Sequence, residues 1–215
     1  MTENVNFLSP VLRYRVKIKI EDAAAWLAHL DLLRNVERAL RRAKMPLRYS
    51  EGFNPHPLIS WGPAHPVGLI SLGEYFDLDF KVQPPPNWVS EASKFLPKGL
   101  NLLEARQIDP QTPALMATLN RAAYNIEFSE VSAEDLARSC QNLLNQSSLL
   151  FIRHSPKGNK ELDLRPGILN LKAKGSVVEA VCLMGGAASP RPRELPELIA
   201  PEAIAKVIRT ALYTE

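Results

Sequence analysis

The segment best equipped for chemistry is Ser50-Glu51-Gly52-Phe53-Asn54-Pro55-His56-Pro57. It places a hydroxyl, a carboxylate, an aromatic ring, an amide and an imidazole in one short run. Pro55 and Pro57 fix their own φ angles and bias Asn54 and His56 toward extended backbone, while Gly52 admits a tight or left-handed turn. The result is a stiff, shaped loop, and a preorganised loop lowers the ordering cost of binding. The same residues have a purely structural reading, in which Asn54 caps a turn, Phe53 fills the core and His56 bonds to backbone. His56, and His29 further upstream, are the two weak candidates for a general acid or base. His29, Asp31 and His56 are a conceivable two-histidine, one-carboxylate set. On a helix, however, His29 and Asp31 lie about 200° apart, so no metal site is expected.

The second feature is charge. Across residues 13–48 ten bases stand against four acids, a local charge of +6, and the rest of the chain is −3. Such a basic quarter suggests a phosphate-rich or acidic partner. The bases fall into two groups. Arg13, Arg15, Lys17 and Lys19 alternate with apolar residues over 12–20, the pattern of a half-buried strand with a basic outer face. Arg34, Arg38, Arg41 and Arg42 form one stripe of a helix, opposite an apolar face of Leu32, Leu33, Val36, Ala39, Leu40 and Ala43. His29 falls near the apolar face. With Arg48 these arginines fit phosphate contacts, which add salt dependence rather than base specificity. Tyr14, Tyr49, Phe53 and Trp61 are the nearby aromatic groups that could stack on bases. Glu37, four residues before Arg41, can instead pair with it on a solvated helix.

The elements that must position these groups follow from periodicity and punctuation. The spacing predicts a helix from an Asp22 cap to about Lys44, stopped by Pro46, then strands over 47–49, 58–61 and 74–80. A helix over 87–96 and a strand over 100–108 complete the first half, 11–110; residues 111–120 read as a linker. The second half, 121–215, reads as strand 122–128, helix 133–144, strand 149–154, a turn at 157–159, strands 163–171 and 176–183, and a final helix 201–212. The order β-α-β-β-α-β recurs roughly twice, so the expected fold is α+β, with two ferredoxin-like halves and antiparallel sheets.

Three sets of residues carry a family resemblance. The first is His29-Leu30-Asp31-Leu32, Arg38-Ala39-Leu40-Arg41-Arg42-Ala43 and Tyr49 to Pro57; the second is Pro66-Val67-Gly68 with Gly73-Glu74-Tyr75. The third, Arg191-Pro192 with Arg209-Thr210-Ala211-Leu212-Tyr213, looks like a C-terminal signature. Together they resemble the radical SAM-linked protein family, a domain of unknown function found beside, or fused to, a radical SAM protein that looks cobalamin-binding. The likeness is strong over 14–80 and weaker beyond. His65 departs from it, since an apolar residue is expected there, and is set aside as a site; Arg193 stands where an acid is expected after the Arg-Pro pair. The resemblance implies a radical SAM partner. It also implies that any iron–sulfur cluster, SAM or cobalamin belongs to that partner, because this chain has no C-x-x-x-C-x-x-C triplet.

Other classes are excluded or disfavoured. Cys140 and Cys182 are too far apart to form a C-x-x-C pair or a zinc knuckle. There is no P-loop and no dinucleotide fingerprint. No apolar run approaches the roughly 18 residues of a membrane span, and the first ten residues lack a signal pattern, so the expectation is a cytoplasmic protein with no membrane or DNA partner. The leading expectation is an accessory module that binds RNA or a ribonucleoprotein and presents it to the radical SAM enzyme. Its binding residues would be Asp31, Arg34, Arg38, Arg41, Arg42, Arg48, Ser50, Glu51, Phe53, Asn54, His56, Arg191 and Arg209. A stand-alone RNA-processing enzyme using His56 or His29, and a pure protein-interaction subunit, remain as alternatives.

Overall fold

The computed structural model describes residues 11–156 and 158–214; the reading of residues 1–10, and of Lys157 in the 157–159 turn, lies outside them. Strand β1 (Leu12–Ile20) alternates as its sequence requires, with Tyr14, Val16, Ile18 and Ile20 buried and the intervening bases half-buried. The predicted continuous helix is broken. Asp22–Trp26 forms a 3-10 turn with Asp22 at φ 48, Leu27 and Ala28 are extended, and helix α1 (His29–Arg42) starts after them. Tertiary contacts hold the break. Ala24 and Ala25 are buried, the Glu21 N–H donates to the Gly99 carbonyl (2.8 Å), and the Ala25 carbonyl accepts from the Gly68 N–H (2.7 Å). Lys44, at φ 54, reverses the chain just before Pro46.

Then follow β2 (Ile59–Trp61), β3 (Ile70–Phe80), α2 (Trp88–Ser93) and β4 (Leu100–Ile108). Residues 47–49 do not form a strand of their own; Leu47 and Tyr49 make single bridges to Phe80 and Pro57. The linker region contains a short helix, α3 (Leu115–Thr118), anchored by the fully buried Leu115. The second half comprises β5 (Arg121–Phe128), α4 (Ala133–Asn145), the hairpin strands β6 (Leu150–Arg153) and β7 (Lys160–Asp163), β8 (Ile168–Lys174), β9 (Val177–Leu183), α5 (Glu194–Ile199) and β10 (Ala205–Tyr213). The Ser132 hydroxyl caps α4 by accepting from the Asp135 N–H (3.1 Å).

Two expectations fail in this half. The strand over 163–171 is interrupted by a 3-10 turn at Arg165–Gly167, where Pro166 cannot donate to a ladder. Residues 201–212 do not form a helix; most of them are β10, whose Val207, Ile208 and Thr210 are β-branched and which lies between β3 and β5.

Eight of the strands make one large sheet, ordered β4-β1-β3-β10-β5-β9-β8, with β2 also on β3, and β6 and β7 pair as a separate two-stranded sheet. Every pairing in the large sheet is antiparallel except β3 with β10, which pair in parallel through Ile70–Ile208 and Ser71–Arg209. The fold is therefore α+β, with a mostly antiparallel sheet carrying few helices. Within residues 12–108 the spatial order is β4-β1-β3-β2; within 121–213, setting the β6–β7 hairpin aside, it is β10-β5-β9-β8. Numbered from the start of each half, these are the same order. Each half has its own core. Leu32, Val36 and Leu40 of α1 pack with Val16, Ile18, Phe76 and Leu78, and Leu136, Cys140 and Leu143 of α4 pack with Tyr124, Ile126, Val178 and Ala180. Tyr14, Phe80 and Trp88 meet edge to face at 5.3–6.1 Å.

Candidate functional site

The outer face of β1 is not the free basic surface its sequence suggests. Arg13 holds Asp79 of β3 through two hydrogen bonds (2.7 and 3.0 Å), and Arg15 holds Asp77 the same way (2.8 and 2.9 Å). The hydrogen bonds to the carboxylates outweigh burial and raise both guanidinium pKa values. Lys19 pairs with Glu21 at 2.7 Å. Two of the strand's four positive charges are thus cancelled by the strand beside it and a third by Glu21, leaving Lys17 without an ion pair among the described residues.

The helix differs. Its apolar stripe is inside, and Arg34, Arg38, Arg41 and Arg42 are exposed. Arg34 reaches Asp31 (3.3 Å) and Arg41 reaches Glu37 (2.7 Å), both on the surface, where such pairs contribute about 0–1 kcal/mol. Arg38, Arg42, Lys44 and Arg48 make no ion pair among the described residues. Arg38 and Arg42 line one side of a hollow of about 360 Å³ whose other side carries Lys94 and the exposed ring of Phe95.

The 50–57 loop stands beside this ridge. Tyr49, at its base, lies under two cations, the Arg41 guanidinium at 5.6 Å and the Lys81 ammonium at 5.5 Å from the ring centre. The Ser50 N–H donates to the His56 carbonyl (2.8 Å), the His56 N–H donates to the Ser50 hydroxyl (3.0 Å), and the Leu58 N–H donates to the Arg48 carbonyl (2.8 Å). These bonds pinch the loop at its neck. Glu51, Gly52, Phe53, Asn54, Pro55 and His56 project into solvent, with Gly52 at φ 129 making the turn. Phe53 does not fill the core: it is fully exposed. Ser50 has a structural role as the neck, while Glu51, Phe53, Asn54 and His56 are presented outward.

His29 is not part of this surface. It is half-buried at the start of α1, edge-on to Trp61 (5.9 Å), with Nδ1 accepting from the His65 N–H at 3.4 Å. Burial, then the neighbouring His65, lowers its pKa, against a smaller opposing pull from Glu74. His29 and His56 thus have separate surroundings and form no acid–base pair. Among the described residues no three His, Cys, Asp or Glu side chains are grouped to hold a metal ion.

Arg209, expected at the surface, is in the interior at 1% exposure. A bulge explains the site it occupies. Ile18 is opposite Glu74 but Ile20 is opposite Ser71, so three residues of β3 span two of β1. Ser71 and Glu74 therefore face the same side as Ile18 and Ile20, toward the helices. There Arg209 donates to Glu74 Oε1 at 2.7 Å and lies over the Tyr124 ring at 5.7 Å. His65 Nδ1 is 3.6 Å from the same oxygen. Burial works to raise the Glu74 pKa, but the charge of Arg209, with help from His65 and Ser71, holds it below the usual carboxylate range.

This buried node sits where the strands of the two halves meet. Sequence reading missed it because His65 was set aside and Arg209 was placed on a helix. The available signal was a single arginine inside an otherwise strand-forming run, Ala205–Tyr213. Arg191 belongs to neither place; it is exposed near α5, its N–H donating to the buried Glu194 (2.8 Å), which Arg153 also grips with two bonds of 2.7 Å.

No helix among the described residues is long and apolar enough to cross a membrane. No curated protein matches the chain. Among solved structures the chain is similar to an unknown protein from Galdieria sulphuraria, at 8% identity and a TM-score of 0.25, over 94% of this chain and 99% of that one. A family model matches residues 13–192, from the first arginine of β1 to the Arg191-Pro192 pair. The chain belongs to that family, DUF2344, described as an uncharacterized protein conserved in bacteria.

Proposed function

We propose that this protein is a non-catalytic accessory module that binds RNA, or a ribonucleoprotein, on α1 and the 50–57 loop. In this reading each half is a ferredoxin-like unit, supported by the matching strand orders, and α1 is the helix that the first unit turns toward a ligand. The observation that carries the function is the contrast between the two basic segments. Three of the four bases of β1, Arg13, Arg15 and Lys19, are paired with Asp79, Asp77 and Glu21, while Arg38, Arg42, Lys44 and Arg48 have no acidic partner among the described residues and lie beside a fully exposed Phe53. Uncancelled cations bind phosphates, and an exposed ring can stack on an unpaired base. A partner of the radical SAM, cobalamin-binding type rests on the sequence resemblance alone. That enzyme would carry the iron–sulfur cluster, SAM and cobalamin, with this chain presenting the substrate.

Catalysis by His56 has less support, because no side chain within hydrogen-bonding reach orients or activates its imidazole among the described residues. The experiment is retention of total cellular RNA on the immobilised chain, from low to high salt. Retention at low salt that falls steeply with added salt supports the reading. Absence of retained RNA, together with a co-purifying protein that survives nuclease treatment, replaces it with a protein-interaction subunit.

A further inference from the structure

A second surface lies where the halves meet. The parallel contact between β3 and β10 is only two residues long, so the segments flanking it stand apart over a cleft of about 950 Å³. One wall comes from Trp26 and residues 66–70, and the other from residues 191–196 and 203–207. Trp26 is 72% exposed, unusual for an indole that is also held in place. Gly68 does the holding. Its N–H is bonded to the Ala25 carbonyl, and at φ 83 it lies so close under the indole that a Cβ would sit 3.2 Å from Cζ3. One face of the ring is thereby backed by glycine while much of the ring stays open to solvent.

The cations of the cleft are Arg191, Arg193 and Lys206, and among the described residues no carboxylate lines it. Arg193 makes no ion pair among the described residues, while Arg191 and Lys206 are only loosely held, by Glu194 at 4.0 Å and Glu127 at 3.8 Å. Pro66, Pro192 and Pro196 in the walls have no N–H to offer an added peptide strand. A flat apolar platform, cations that are unpaired or only loosely paired, and walls poor in backbone donors suit a ring bearing phosphate better than a peptide.

We propose that this cleft is a nucleotide site, with a base stacked on Trp26 and its phosphates on Arg193, Arg191 and Lys206. The volume accommodates more than one nucleotide, so the class of ligand is a short single-stranded segment. The inference does not need the α1 surface, and its test separates the two. The intact chain is titrated with hexauridylate while tryptophan emission is followed. Trp88 is buried and Trp61 is half-buried against Phe76, so Trp26 is the indole a ligand reaches.

Saturable quenching is expected, at least about tenfold weaker affinity in Arg193→Glu, and loss of the signal in Trp26→Leu. In the Arg38→Glu, Arg42→Glu background, which removes the α1 ridge, binding read by anisotropy of a labelled hexauridylate should also fall about tenfold on adding Trp26→Leu. Arg38→Glu with Arg42→Glu should leave the quenching unchanged. Uridine monophosphate that quenches to the same end point supports the site as one for free nucleotides as well. No quenching at low salt overturns the proposal. So does quenching that persists undiminished in Arg193→Glu, or equal competition by hexaglutamate, which would mark an acidic-peptide groove.

Discussion

Arg209→Met tests whether the seam between the halves is held by charge. The substitution keeps most of the side chain's volume but strands Glu74, which is buried at 4% exposure beside a His65 whose ring nitrogens have no hydrogen-bond partner among the described residues. Removing one member of a buried ion pair costs about 3–5 kcal/mol. That is a large share of the roughly 5–15 kcal/mol that keeps a protein folded. For a chain of this length each kcal/mol corresponds to about 2–4 °C, so melting should fall by roughly 6–20 °C in a scanning-fluorimetry or calorimetric assay. Adding Glu74→Gln should restore much of the loss, giving a coupling of at least about 2 kcal/mol in the double-mutant cycle.

The pH dependence follows from the signs. In the unaltered chain the Glu74 pKa is lowered, so its contribution is fully present above the unfolded value near 4.5 and is lost as pH falls through the lower folded value. Without Arg209, burial raises that pKa instead. The penalty then applies above the unfolded value and fades in acid, so the two melting curves should converge as pH drops from 7 toward 4. A cost under about 1 kcal/mol, strictly additive singles, or a gap that widens in acid would refute the reasoning.

Other outcomes follow from local geometry. Gly99→Ala should destabilise strongly, read by denaturant unfolding, because Gly99 is at φ 90 and a Cβ would lie 2.3 Å from the Glu21 carbonyl oxygen. Phe53→Ser should leave melting within about 0.5 kcal/mol of the original, since the ring is fully exposed, while weakening RNA retention. The Cys182 thiol, pushed up to about 12 by burial, should resist alkylation at pH 8 in the folded chain and react once denatured; rapid native labelling at this position would contradict its placement.

The parts of the fold legible in the sequence were those decided by neighbours in the chain. The period-two alternation of Leu12–Ile20, the apolar stripe of α1 and the proline-stiffened bend before Leu58 are all local patterns, and each has the form expected. What escaped was decided by residues far away. The cancellation of Arg13 and Arg15 depends on a strand register joining positions 66 and 62 residues apart. The burial of Arg209 depends on a partner 135 residues distant and on a bulge at Ser71–Glu74 that no composition announces. The terminal strand β10 was mistaken for a helix because Ala205, Ala211 and Leu212 are good helix formers, and its place between β3 and β5 overrides that preference. Exposure of the 50–57 segment also had to be seen, since Phe53 could equally have been a core residue.

The most direct measurement of the central claim is the salt dependence of RNA affinity for the unaltered chain and for Arg38→Glu with Arg42→Glu, neither of which touches the core. If these side chains contact phosphates, the double variant should bind far more weakly, and the slope of log affinity against log salt should shrink by about 1.4, at about 0.7 per lost contact to a single strand. Equal affinity and equal slope in the two proteins would show that the α1 ridge is an ordinary solvated helix face.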